Sequence, residues 1–157
     1  MLMKNNKNIF LYLTLIFFSL IQGLVANEFD ISALNIKLLQ DSKTIQAEGN
    51  VLIVGEDGII IESESATYDK KENFIKAKKS VKITDRKTNN ELESDKIRYS
   101  KKEEEILAEG NVFFKGNDGV TIETEIALYD KRNQVIKSDQ LTKMNDGYGN
   151  SILVDMF

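Results

Sequence analysis

Ile45-Gln46-Ala47-Glu48-Gly49-Asn50-Val51-Leu52-Ile53 and, 61 residues on, Ile106-Leu107-Ala108-Glu109-Gly110-Asn111-Val112-Phe113-Phe114 are two copies of one pattern. The match runs without a gap from Ile45 to Asp85 and from Ile106 to Asp146, with 20 of 41 positions identical. A repeat of this length dictates architecture, because each copy must bury its apolar face against the next. A shorter period lies inside it. Ile31-Ala33-Ile36-Leu38, Ile61-Ser63-Ala66-Tyr68, Leu92-Ser94-Ile97-Tyr99 and Ile122-Thr124-Ala127-Tyr129 share one spacing. Between them lie Ile45-Ala47-Val51-Ile53, Ile75-Ala77-Val81-Ile83, Ile106-Ala108-Val112-Phe114 and the degenerate Ile136-Ser138-Thr142-Met144. The unit is therefore about 30 residues and holds two strands.

Apolar residues recur every second position, so each segment is a strand with one buried face. Ile, Val and Thr dominate, as suits a pleated, half-buried surface. Gly55-Glu56-Asp57-Gly58 and Gly116-Asn117-Asp118-Gly119 are turn sequences, and Asp69 to Asn73 and Asp130 to Asn133 punctuate the alternate junctions. Nine antiparallel strands are expected, near 31–38, 43–54, 59–68, 74–84, 91–99, 105–115, 120–129, 134–144 and 151–157. Apolar inside and charged outside, they predict an all-β sandwich or jelly roll. Such a stack leaves its first and last strands without a neighbour, with backbone groups free to pair with another subunit.

Residues 1–26 stand apart. Lys4 and Lys7 precede the apolar run Ile9 to Ile21, and Gly23-Leu24-Val25-Ala26 ends on a small residue, the pattern of an export signal cleaved after Ala26. Ile9 to Ala26 is also 18 residues, the short limit for a membrane anchor, and Thr14, Ser19, Gln22 and Gly23 weaken that alternative. Either way residues 27–157 form one exported domain. Without Lys4 and Lys7 that domain has 19 basic against 25 acidic residues, a net charge of −6. With no basic stripe, a nucleic-acid partner is not expected. The chain has no Cys and no His. Disulfides and thiol chemistry are thereby excluded, and the commonest general base and metal ligand are missing. No cofactor, no metal and no enzymatic activity are expected, for want of any nucleophile–base pair.

The repeated Ala-Glu-Gly-Asn-Val, its Gly/Asp turn, the Ile-rich strand and the Ala-x-Tyr-Asp ending resemble the OstA-like family of lipopolysaccharide-transport proteins. That family includes the periplasmic bridge protein LptA and the N-terminal periplasmic domain of the outer-membrane assembly protein LptD. The resemblance covers Asp30 to Phe157 and implies an open β-jelly roll whose interior takes acyl chains of lipopolysaccharide. It implies periplasmic or outer-membrane-associated residence. Its implied partners are other transport jelly rolls, joined through edge strands near 31–38 and 151–157. The motif stands at Ala47 to Val51 and Ala108 to Val112, but Gly-Asn is lost at Ala77-Lys78-Lys79-Ser80-Val81 and Ser138-Asp139-Gln140-Leu141-Thr142. Ser151 to Phe157 reads as the opening of a fifth copy, as in a piece of a longer assembly protein.

In that reading the lipid-contacting set is the inward row: Ile45, Val51, Ile53, Ile61, Tyr68, Val81, Ile83, Tyr99, Ile106, Val112, Phe114, Ile122 and Tyr129. Each is equally a core residue. Tyr68, Tyr99 and Tyr129 end their strands, where a hydroxyl meets sugar or phosphate at the trough rim or merely packs. Gly49 and Gly110 mark a backbone bulge, or leave room for a lipid chain. Glu62, Glu64, Glu123 and Glu125 lie on the polar phase and form a solvated face. Lys70-Lys71, Lys78-Lys79, Lys101-Lys102 and Lys131-Arg132 are turn residues that keep the chain soluble or meet lipid phosphates. Two other classes compete: a structural β-repeat of adhesin or filament type that binds no lipid, and the inner-membrane-anchored transport component LptC, which would keep residues 9–26.

Overall fold

β-Branched alternation builds strands wherever the sequence carries it, and in the structure, a computed structural model, residues 28–39 and 43–157 are described. The export segment 1–26 lies outside the described residues. The strands are β1 (Phe29–Ser32), β2 (Asn35–Leu38), β3 (Thr44–Gly55), β4 (Ile59–Asp69), β5 (Phe74–Asp85), β6 (Asn90–Ser100), β7 (Glu105–Lys115), β8 (Thr121–Asp130), β9 (Val135–Lys137), β10 (Thr142–Asn145) and β11 (Ser151–Val154). All pair antiparallel in one open sheet, and from β3 to β8 each neighbours the next in sequence. Nine expected strands become eleven because the first and the eighth are broken. β1 and β2 both pair with β3, and β9 and β10 both pair with β8.

The breaks and the shape share one cause. On β3, Gly49 and Asn50 oppose the single residue Glu64 of β4, and a similar slip recurs at Lys79-Ser80 and at Gly110-Asn111. All six bulge residues have φ between +48° and +79°, the left-handed region that only Gly, and to a lesser degree Asn, enters at low cost. Where β1 and β2 cross this line, Leu34 lies over Gly49 so closely that a Cβ there would come within 2.9 Å of it. In β9/β10 the Gly-Asn pair is replaced by Gln140-Leu141, and the strand is interrupted instead.

Together the bulges form a crease across the sheet. Unbent strands of 11 residues would hold their ends about 33 Å apart. Yet Phe29, at one end of its strand, packs edge-on against Tyr68 at the far end of β4, with ring centres 5.1 Å apart. Phe114 meets Tyr129, likewise at the far end of the next strand, with tilted rings 5.4 Å apart. Each long strand is therefore folded at its middle, and the sheet doubles over into two facing layers: a β-jelly roll. The crease exposes carbonyls on the partner strands, and small hydroxyls satisfy them. Ser63 Oγ donates to Ser65 O, Ser94 Oγ to Lys96 O, both at 3.2 Å, and Thr142 Oγ1 to Gln140 O at 2.8 Å.

Candidate functional site

The two layers enclose the inward row. Of the thirteen residues named above, twelve are 0–7% exposed, and Ile45, opposite Tyr68 near the strand end, is half-buried. Register explains this. β3 keeps one phase from Ile45 to Ile53, while β4 changes phase across the crease, so Ile61 and Ser63 share a face with Ala66 and Tyr68. The same inner face takes residues that the repeat did not single out: Phe29, Ile59, Ile75, Leu92 and a line of alanines at 47, 66, 77, 108 and 127. The alanines lie beside the crease, where the layers leave least room. Glu62, Glu64, Glu123 and Glu125 point outward and are exposed, as their phase requires.

The strand ends form two rims that meet along one side of the roll. One rim is Glu28 with the turns at 55–58, 85–90 and 116–119, linked by Glu56 N to Glu28 O (3.4 Å), Arg86 N to Gly58 O (3.0 Å) and Asn117 N to Asn90 Oδ1 (3.1 Å). The other comprises the turns at 69–73, 100–104 and 130–134, linked by Lys101 N to Asn73 O (3.2 Å) and Lys131 N to Glu104 O (3.0 Å).

Polar side chains stitch rim to rim. Lys131 Nζ donates to Asp57 Oδ2 at 2.8 Å, and the Tyr99 hydroxyl donates to the same oxygen. Asn73 and Lys101 meet the Glu28 carboxylate, and Asn90 Nδ2 donates to the Tyr129 hydroxyl at 3.0 Å. Lys131 and Lys101 also lie over the rings of Tyr99 and Phe29, at 5.3 Å and 5.2 Å, which adds cation–π attraction.

Burial works to raise the Asp57 pKa, but the bonds from Lys131 and Tyr99 and the Lys131 charge outweigh it, and the carboxyl is held below its ordinary value. Burial, followed by the Asp57 bond and charge, pushes the Tyr99 phenol well above its usual range. The tyrosine hydroxyls thus do stand at the rim, but the opposite rim already engages those of Tyr99 and Tyr129, while Tyr68 donates to Asn73 at 3.2 Å. Lys101 and Lys131 are not solubilising turn residues: their side chains are 20% and 9% exposed. This network escaped the sequence reading because the repeat does not mark it. Asp118 and Lys70, the equivalents of Asp57 and Lys131, are both exposed.

A doubled-over sheet with an unbroken apolar interior, closed by a polar rim, defines a β-jelly roll. The family profile described as "Lipopolysaccharide-assembly, LptC-related" matches residues 4–91, and the chain belongs to that family. This agrees with the OstA-like resemblance of the Ala-Glu-Gly-Asn-Val copies. No curated protein matches the chain. Among solved structures it is similar to LptH, the LptA-homologous periplasmic component of the lipopolysaccharide transport device of Pseudomonas aeruginosa. That likeness has 16% identity and a TM-score of 0.62, over 69% of this chain and 79% of that one. At such identity it speaks for the fold.

Proposed function

We propose that this chain is a lipopolysaccharide-transport module that takes acyl chains between its two layers and passes them along a line of joined jelly rolls. One observation carries the reading: an apolar face that runs unbroken through β3 to β8 and is walled from water by a crease on one side and a polar rim on the other. Burying acyl chains there gains about 0.8 kcal/mol per CH₂, so several chains bind tightly without a specific polar contact. The lipid-contacting residues in this reading are the thirteen of the inward row. The partners are other transport jelly rolls, because the outer edges of β1/β2 and of β11 have no neighbouring strand among the described residues. Both edges also carry exposed apolar side chains, Leu34 (74%) and Leu153 (68%) among them. Titration of the purified chain with labelled lipopolysaccharide tests this. Saturable binding is expected, whereas a cooperatively folded chain that binds none would leave the structural-repeat reading in its place.

A second reading, that Ile9 to Ala26 stays as an inner-membrane anchor, is favoured by one observation: the LptC-related profile starts at residue 4. N-terminal sequencing of the exported chain separates the two. A start at Asn27 means cleavage, and a start at Met1 or Leu2 means an anchor.

A further inference from the structure

Lys131 and Lys101 occupy equivalent places in successive repeats, at the line where the apolar interior meets solvent. Chains lying inside the roll would put a charged head at that line. Each ammonium already holds an anion, but one supplied from the facing rim: Asp57 for Lys131 at 2.8 Å and Glu28 for Lys101 at 3.5 Å. Beside them is a cleft of about 230 Å³ where Lys87, Lys101 and Lys131 balance Asp57, Asp85 and Glu104. The same cleft is lined by Thr88, whose buried hydroxyl has no hydrogen-bond partner. Asp85 is committed to its own turn, accepting from Lys87 N at 2.9 Å. Acyl chains that replace side-chain contacts between the layers exchange one apolar surface for another at little net cost. The ion pairs across the rim have no such substitute unless the ligand brings one.

We propose that the rim is the anionic-headgroup site in its self-satisfied state. A phosphate-bearing amphiphile takes Lys131 and Lys101 over from Asp57 and Glu28, with Thr88 as an added donor, and the rims part as its chains enter. The inference rests on the lipid-holding function proposed above and adds which end of the lipid is recognised, and by what. Only ion pairs are exchanged, and no covalent bond forms or breaks.

Opposite halves of one ion pair make the test. The full chain, Asp57→Asn and Lys131→Gln are titrated with the phosphorylated lipid anchor of lipopolysaccharide and with the same lipid after removal of its phosphates. Asp57→Asn frees the lysine and is expected to tighten binding of the phosphorylated probe roughly three- to tenfold, while Lys131→Gln weakens it by a similar factor, as befits one charge-assisted bond. Neither changes affinity for the dephosphorylated probe in that opposed way. Inorganic phosphate alone fails to compete, since it brings no chains to part the rims. A purely structural rim would shift both variants in the same direction with both probes, and that result overturns the inference. Competition by inorganic phosphate overturns it as well, because the site would then take any free anion. Thr88→Val is a milder variant that keeps both charges. It is expected to weaken phosphorylated binding alone, and equal loss with both probes contradicts the role given to its hydroxyl. If the native chain binds neither probe, the lipid-holding function itself falls.

Discussion

Lys79 and Ser80 show what the bulge demands of a residue. They stand where the other copies have Gly49-Asn50 and Gly110-Asn111, and they hold the same backbone shape, with φ +66° and +51°. An L-residue in that region costs about 1–2 kcal/mol, so the second copy keeps its bend at the expense of strain. Restoring the motif with Lys79→Gly and Ser80→Asn is expected to stabilise the fold by about 1 kcal/mol, read as a raised denaturant midpoint with an unchanged slope. Asp57 offers a second check at this scale. Its pKa is lowered from 3.8 in the folded chain. The stability it contributes is therefore present above the unfolded-state value and is lost as pH falls through the lower, folded one. The native chain should lose stability below about pH 4, and Asp57→Asn should lack that component of the loss when both are melted across the acid range. The inward row could be read from the sequence because period-two burial is a local property. The rim pairs could not, since they join residues 73 and 74 positions apart, and Asp118 and Lys70, the equivalents of Asp57 and Lys131, are exposed.

Element boundaries followed the sequence where the repeat was intact and departed from it at the crease. β3 to β8 fall within a residue or two of the spans expected from apolar alternation and turn signals. The broken strands β1/β2 and β9/β10 could not be foreseen, because both carry the same apolar spacing as the unbroken strands, while the ladder does not continue through them. The edges also have a direction that alternation alone hides. Leu34 N donates to Gly49 O, and the register sets Ile36 opposite Ala47, so the N–H of Ile36 lies on the inward side. Asp146 N donates to Asn150 O, and Leu153 pairs with Lys143, so the N–H of Leu153 points away from the sheet. Proline at these two positions should therefore act differently. Leu153→Pro is expected to abolish edge-to-edge association while changing stability by no more than about 0.5 kcal/mol. Ile36→Pro removes a ladder bond and should destabilise the edge itself. Sedimentation and thermal melts of the two variants, side by side, check the difference. Unimpaired association by Leu153→Pro would remove β11 as a docking edge.

At the scale of the whole molecule, a line of bulges folds one sheet into two layers, alanines and small hydroxyls fit the crease, and charged pairs close the opposite side. A filled β-repeat and a lipid carrier would share every one of these features, which is why the family resemblance, and not the strand pattern, first pointed to lipopolysaccharide. What separates them is whether acyl chains reach the inner face. Photo-crosslinking side chains placed at Ile53, Val81 or Phe114, all inward and buried, give the most direct measurement, with the outward-phase positions Glu48, Lys82 and Glu109 as controls, because a one-residue step reverses the face of a strand. Capture of lipopolysaccharide by the inward probes and little by the controls is the expected result. Inward probes that capture nothing, in a chain whose melting shows them merely to loosen the core, would contradict the lipid-holding function.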